Sequence, residues 1–348
     1  MTTYQSLQLV RLTGEFHDGV EVHSLPLRPA AEGEVVVQTH YVGVNATDVK
    51  LTAAKFLGNG PLPCGIGLEA LGRVHSVGPG VSKVSPGDAV LVFNGSACYA
   101  EFIYAREEQL FPVPDVRPEF LVSLINGLTA AIGLDECGRI RDGDRVLVTA
   151  AAGGTGHVAV QWAKRKGCFV IGVTSSDSKA AFLREVGVDH VINSKREDVF
   201  AVLARDYPDG VNVIWETGIA GHTLGLLLDH LAPRGRLVII GNSTASKALN
   251  QRKHLANPAA LNADSLAQRL RLSGFSISGF LLLLYQDLVP HYWSQLISLI
   301  SRREIHARVD EGEEAPGGRF QGIRDVVRAV EHLQSGGNRG KAVVRIIS

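Results

Sequence analysis

Excess charge of either sign is missing from this sequence. Its 35 basic and 35 acidic residues leave a formal net charge of zero, which argues against electrostatic binding to nucleic acid or to a membrane surface. Cysteine is scarce: Cys64, Cys98, Cys137 and Cys168 are the four present, and no C-x-x-C pair occurs. Neither a zinc ribbon nor a dithiol redox motif is therefore indicated. Free thiols in a reducing cytosol are the expectation, and with them a cytoplasmic location. Long hydrophobic runs are lacking too. The longest candidate, Phe280 to Tyr285, falls far short of the ~20 residues that cross a bilayer. Met1-Thr2-Thr3-Tyr4-Gln5 has no charged-then-apolar leader pattern, and Arg345-Ile346-Ile347-Ser348 is not a peroxisomal S-K-L signal. Internal repeats and low-complexity segments are absent.

What is present is an ordinary globular composition, 45% hydrophobic and 20% charged over 348 residues, enough for about two domains. Residues 1 to about 125 read as short strands and turns, such as Val35 to Val42, Gly72 to Gly78 and Ala89 to Phe93. Near Phe120 the pattern changes to strand, helix, strand, helix. Strands are expected at 146–148, 169–173, 190–192, 211–215, 237–240 and 276–280. Helices are expected at 157–166, 179–186, 198–205 and 223–230. Such alternation predicts a parallel, doubly wound sheet. A polar loop runs from Asn242 to about Leu261, beyond a strand's carboxyl end, where ligands bind in these sheets. Ile323 to Val330 is an amphipathic helix, and the last strand, Ala342 to Ile347, is expected to return to the first domain.

The chain is organised around one turn, Thr149-Ala150-Ala151-Ala152-Gly153-Gly154-Thr155-Gly156. An apolar strand runs into it and a helical stretch runs out. Ala150, Gly153 and Gly156 sit three apart, with Gly154 and Thr155 between. Small residues let the backbone turn tightly and approach a ligand, and the helix N-terminus favours a pyrophosphate. Strand-turn-helix is the context that a dinucleotide site requires. An NAD site places an acid about 20 residues past the glycines, at the end of the second strand. Here that strand ends in Thr174-Ser175-Ser176, with Asp177 and Lys179 following. Hydroxyls plus a lysine suit a 2′-phosphate, so NADPH is the expected cofactor. Lys179 reads equally as a solvated first-turn lysine, and Asp177 as the N-cap of the next helix.

Several stretches carry a resemblance to a known family. They are Gly43-Val44-Asn45-Ala46-Thr47-Asp48, Gly65 to Gly72, Thr149 to Gly156, Gly172 to Lys179, and Gly337-Asn338-Arg339-Gly340-Lys341. Together they resemble the medium-chain dehydrogenase/reductase superfamily, in its quinone-reductase-like branch, from about Val35 to Ile347. The resemblance implies an α/β fold: a Rossmann doubly wound parallel sheet plus a GroES-like β-barrel domain. Residues 1–125 and 306–348 would form the GroES-like domain and 126–305 the Rossmann domain, with the active site in the cleft between. It also implies NADPH-dependent reduction of a carbon–carbon double bond conjugated to a carbonyl, on an enone, an enal or a 15-keto-prostaglandin-like lipid. Quinone reduction, enoyl-thioester reduction, and NADPH binding with little turnover are the alternatives.

The resemblance places residues as well. The zinc dehydrogenases of the superfamily carry a ligand Cys and a ligand His where this chain has Asn45 and Leu68. An amide and an isobutyl group cannot replace them, and the clustered cysteines of a structural zinc lobe are also missing. No metal is expected. Asn45 is then the candidate catalytic donor to the developing enolate oxygen, or only a brace for its loop. Asp48 matches the family's aspartate and is expected to order that loop. Thr129, in Asn126-Gly127-Leu128-Thr129, corresponds to a threonine near the nicotinamide, or is a helix N-terminal hydroxyl. Phe280 and Leu282 correspond to a strand end that meets the carboxamide, Asn338 to a pyrophosphate or ribose contact, and Gly241 and Asn242 to the loop that shapes the pocket. Lys341 reads as a surface lysine. Ser194 stands where relatives have a tyrosine against the 2′-phosphate. Arg252 or Lys253 could meet an acyl carboxylate. A homodimer is expected through Ser276 to Leu284.

Overall fold

The computed structural model describes residues 2–52, 61–95, 97–218, 221–241 and 263–347. Asn242, Arg252 and Lys253 lie outside the described residues. The chain forms two compact units, Met1–Leu124 with Arg308–Ser348, and Ile125–Ala307.

The first unit is built on a curled seven-stranded sheet. Its central strand, Glu34–Gly43, pairs antiparallel with Glu69–Val77, with Phe102–Arg106 and with the C-terminal strand Lys341–Arg345. Val35, Val36 and Val37 are fully buried, each contributing about 1.5–3 kcal/mol by leaving water. Register shifts between Val36 and Val37 and between Thr39 and Tyr41 bend this strand, as bulges do. Gly72 lies at the bend, where a Cβ would come 2.1 Å from the Gln38 carbonyl oxygen. The helix Asp325–Gln334 covers one face with Val326, Ala329 and Val330. The antiparallel register sets Val343 opposite Gly43, so the last strand does return to the first unit.

The second unit holds a six-stranded parallel sheet in the order His190–Asn193, Phe169–Thr174, Arg145–Val148, Val211–Glu216, Leu231–Ile239, Ser276–Gly279. The strand Arg145–Val148 is buried from its second residue onward, as expected when helices cover both faces. Chain order reverses between Arg145–Val148 and Val211–Glu216. The turn Thr149–Gly156 leaves the carboxyl end of the first of these strands, at the switch point where ligands bind in such sheets.

Three helices of the second unit were not legible in the sequence, Ile125–Ile132, Ala263–Ser273 and Val289–Ser301. Seven of the eight residues of Ile125–Ile132 are buried, so it has no polar face to produce a helical stripe. It belongs to a 20-residue helical run, Pro118–Cys137, that by length and composition could cross a membrane. Among the described residues that run, rather than Phe280 to Tyr285, is the helix that meets this length and composition. Because 83% of its window is buried inside the protein, it is core.

Candidate functional site

The turn after Val148 is shaped by close backbone approaches. Ala150 adopts φ 45°, a left-handed conformation uncommon for a residue with a side chain. Gly153 N donates to the Ala150 carbonyl at 2.9 Å and closes the turn. A Cβ on Gly156 would lie 2.3 Å from that same oxygen, so only glycine fits as the helix Gly156–Arg165 begins. His157 is fully buried and its Nδ1 meets the Gly153 carbonyl at 2.9 Å, bracing the turn. Thr155 precedes the helix without capping it. Its hydroxyl instead accepts from Asn126 Nδ2 at 2.9 Å, and a Cβ on Gly154 would meet that same amide at 3.1 Å. Asn126 Oδ1 is buried without a partner among the described residues. Thr129 lies one turn on from Asn126, on the same helix face and inside the helix rather than at its N-terminus. The role of Asn126 was missed; its signal was the i, i+3 spacing to Thr129.

At the adjacent strand end, Thr174 is buried and Ser175 and Ser176 are half-buried. Ser176, not Asp177, is the N-cap of the helix Asp177–Glu185, its Oγ accepting from Lys179 N at 3.4 Å. Both residue types cap well, and the extended backbone of Ser176 decides between them. Asp177 instead accepts from Arg196 and from Asn193 Nδ2. The Arg196 hydrogen bond, reinforced by Asn193, holds its carboxyl below the usual range. Ser194 Oγ donates to the Thr174 carbonyl at 3.0 Å, which leaves its oxygen as an acceptor. Gly241 follows the strand Leu231–Ile239, and a Cβ there would lie 2.8 Å from the Thr217 carbonyl oxygen. Phe280 N bonds the Ile239 carbonyl, its ring stacks on Tyr285 at 4.9 Å, and Leu282 follows in a short 3₁₀ turn. Ala150 to Gly156, Thr174 to Ser176, Ser194, Gly241 and Phe280 thus lie at or just beyond the carboxyl ends of sheet strands, whereas Thr129 and Lys179 lie on helices.

The first unit holds a separate, charged cluster. Lys341, read from the sequence as a surface lysine, is 1% exposed. Its Nζ donates to Glu69 Oε1 and to Asn45 Oδ1. Asn45 Nδ2 donates to the same Glu69 oxygen at 3.0 Å. Asp48 Oδ2 accepts from Asn45 N and from the Tyr99 hydroxyl, both at 2.7 Å, so Asp48 orders the loop as expected. Burial pushes the Asp48 carboxyl up to about 6, against those hydrogen bonds. Burial first, then the Asp48 charge, pushes the Tyr99 hydroxyl well above its usual range. Asn338 belongs to this unit; its Nδ2 donates to the Gly340 carbonyl at 2.8 Å, shaping the turn that delivers Lys341. Glu69 lies within the stretch Gly65 to Gly72 that carries the resemblance, and the sequence reading did not single out Tyr99.

Comparison with known proteins agrees with this geometry. Residues 31–115 match the family described as alcohol dehydrogenase GroES-like domain, and residues 154–302 that described as zinc-binding dehydrogenase. A probable quinone oxidoreductase of Leishmania amazonensis is 38% identical over 99% of this chain and 98% of its own length. Prostaglandin reductase-3 of Mus musculus is 36% identical over 99% of this chain and 90% of its own. The chain belongs to the medium-chain dehydrogenase/reductase superfamily. Within it, this oxidoreductase falls in the quinone oxidoreductase-like branch, with a GroES-like and a Rossmann-like domain. The structure of Escherichia coli quinone oxidoreductase complexed with NADPH superposes with a TM-score of 0.83 at 25% identity, over 98% of this chain and 99% of that one.

The description "zinc-binding" calls for a test of the donor set. Among the described residues no group of three or more His, Cys, Asp or Glu could hold a metal ion. At the cluster in the first unit, Asn45 is an amide, Leu68 is apolar, and the Glu69 carboxylate is tied to an ammonium. Zinc needs thiolate, imidazole or carboxylate ligands, and these residues do not fit it. The turn in the second unit does fit a dinucleotide: glycines where a Cβ would collide, a helix N-terminus, and the unpartnered Asn126 Oδ1.

Proposed function

We propose that this chain is an NADPH-dependent reductase of the carbon–carbon double bond of α,β-unsaturated carbonyl compounds, working without a metal. The observation that carries the reading is Asn45, a buried amide whose oxygen and one N–H are both held, leaving its second N–H for a ligand. When bound, NADPH supplies the hydride for the β carbon. Ala150, Gly153, Gly154, Thr155, Gly156 and the helix that follows hold its pyrophosphate, and Thr129 and the backbone at Phe280 and Leu282 meet its nicotinamide. Gly241 and Asn338 contribute to its ribose and phosphate contacts. Thr174, Ser175, Ser176, Lys179 and Ser194 receive the 2′-phosphate, with Arg196 beside them. Negative charge develops on the carbonyl oxygen as an enolate, Asn45 donates to it, and solvent supplies the proton that the α carbon takes as the enolate collapses to the saturated carbonyl. Asp48 holds the Asn45 loop rather than moving a proton.

Supporting names come from relatives. Besides prostaglandin reductase-3, a 2-haloacrylate reductase of a Burkholderia species is 34% identical over 61% of this chain. Acrylates carry the same conjugated double bond. Quinones are the second class of acceptor, because several relatives are named quinone oxidoreductases. The substrate is a sizeable apolar enone, and the enzyme is a cytoplasmic homodimer paired through the edge strand Ser276–Gly279. The four free thiols and the exposed Leu284 beside that edge support these two points.

The test is NADPH oxidation with an enone, a quinone and an enoyl thioester, each with and without chelator. Turnover of the enone, unchanged by chelator, is expected. Tight NADPH binding with no oxidation by any acceptor overturns the reading, and loss of activity on chelation overturns its metal-free part.

A further inference from the structure

The cluster in the first unit contains more than a loop brace needs. An ammonium and a carboxylate taken out of water are expensive to bury, and apolar residues would fill the same space. Yet three strands converge to keep them. Gly43 ends one strand, Glu69 starts its neighbour, and Lys341 starts the strand on the other side. Gly43 itself makes the room: a Cβ there would lie 2.6 Å from Glu69 Oε1 and 2.8 Å from Lys341 Cε.

The geometry determines the amide orientation of Asn45. An ammonium only donates and a carboxylate only accepts. Asn45 Oδ1 must therefore face Lys341, and Nδ2 must face Glu69. The amide can neither flip nor swing. An ammonium on the amide oxygen also draws electron density from nitrogen, and in a buried setting that polarisation is little screened. The N–H that Glu69 does not take becomes a stronger, fixed donor. Because Glu69 cancels the charge of Lys341, the cluster offers a ligand an oriented dipole rather than a net positive charge.

We propose that Lys341 is a positioning residue: with Glu69 as its counter-charge, it fixes and polarises the Asn45 amide so that the second N–H of Nδ2 stabilises a developing oxyanion. This rests on the reading of Asn45 as the donor to the substrate oxygen. Lys341 acts through Asn45 and need not touch substrate.

The test compares wild type with E69Q/K341M, N45A and the triple variant N45A/E69Q/K341M. The double replacement removes both charges together and keeps the side-chain volumes, so neither partner is left as a lone buried ion. It is expected to keep the wild-type affinity for NADPH, to lower kcat for an enone about tenfold or more, and to leave KM within about twofold. The triple variant should be no slower than N45A. An unchanged kcat in E69Q/K341M, or a triple variant in which the two losses multiply, overturns the proposal. A second readout is independent of turnover. In NADPH-saturated protein, the two Asn45 Nδ2 protons should resonate far apart in wild type and draw together in E69Q/K341M. Identical shifts in both proteins also overturn it. If wild type reduces no acceptor, the functional reading fails by itself, and the amide shifts still decide whether Lys341 controls Asn45.

Discussion

The two units prepare for a ligand in opposite ways. In the second, the proposed cofactor-facing surface is main chain. Ala150 to Gly156 offer a tight turn, a helix end and little side chain, and the constraint is steric. In the first, the proposed working surface is one side-chain amide, and the constraint is electrostatic, set by Lys341, Glu69, Asp48 and Tyr99. A cofactor with a constant phosphate backbone can be met by a rigid backbone. A carbonyl oxygen that gains charge during reaction is better met by a fixed dipole.

The contrast can be broken most forcefully at Lys341. K341M alone removes the ammonium that balances the buried Glu69 carboxylate, which should cost about 3–5 kcal/mol of stability, read by denaturant unfolding. E69Q/K341M should recover most of that loss. Equal stabilities for the two would mean that charge does not organise this unit. Next in size is G156A in the second unit. Its methyl group meets the Ala150 oxygen at 2.3 Å, and overpacking of this kind costs about 1–3 kcal/mol. NADPH affinity should fall along with the melting temperature, whereas K341M should leave NADPH affinity unchanged.

A subtler effect concerns pH. The folded Asp48 carboxyl, at about 6, lies above its ordinary 3.8. The native state therefore holds this proton more tightly than the unfolded chain. Its contribution to stability is fully present below about 4 and is lost as pH rises through about 6. D48N cannot ionise, so its stability relative to wild type should improve across that window. A gap independent of pH would show that Asp48 is already ionised there. The smallest effect is expected from R196A. The exposed pair with Asp177 should add little to stability, but NADPH affinity should weaken while NADH affinity does not. Equal loss for both cofactors would remove Arg196 from the 2′-phosphate end.

The same contrast explains what the sequence revealed. The turn is one contiguous stretch, and the strands and helices around it are periodic, so the doubly wound sheet was readable, whereas its strand order was not. The charged cluster is assembled from positions far apart. Lys341 and Asn45 are separated by 296 residues, and nothing local marks a lysine as buried. Asn45 and Asp48 were legible only through family resemblance, and Tyr99 through neither route. Ser176 and Asp177 are adjacent good caps, and only backbone conformation separates them. Ile125–Ile132 was hidden because burial on every side erases helical periodicity.

The C-terminal strand that carries Lys341 has a consequence for biogenesis. During synthesis, Asn45 and Glu69 emerge early, yet the cation that balances them follows only after residues 125–307, the whole second unit. The second unit is contiguous, whereas the first is closed only by the last strand. A chain that stops before Lys341 keeps the residues of the turn Ala150 to Gly156 but lacks the ammonium that orients the Asn45 amide.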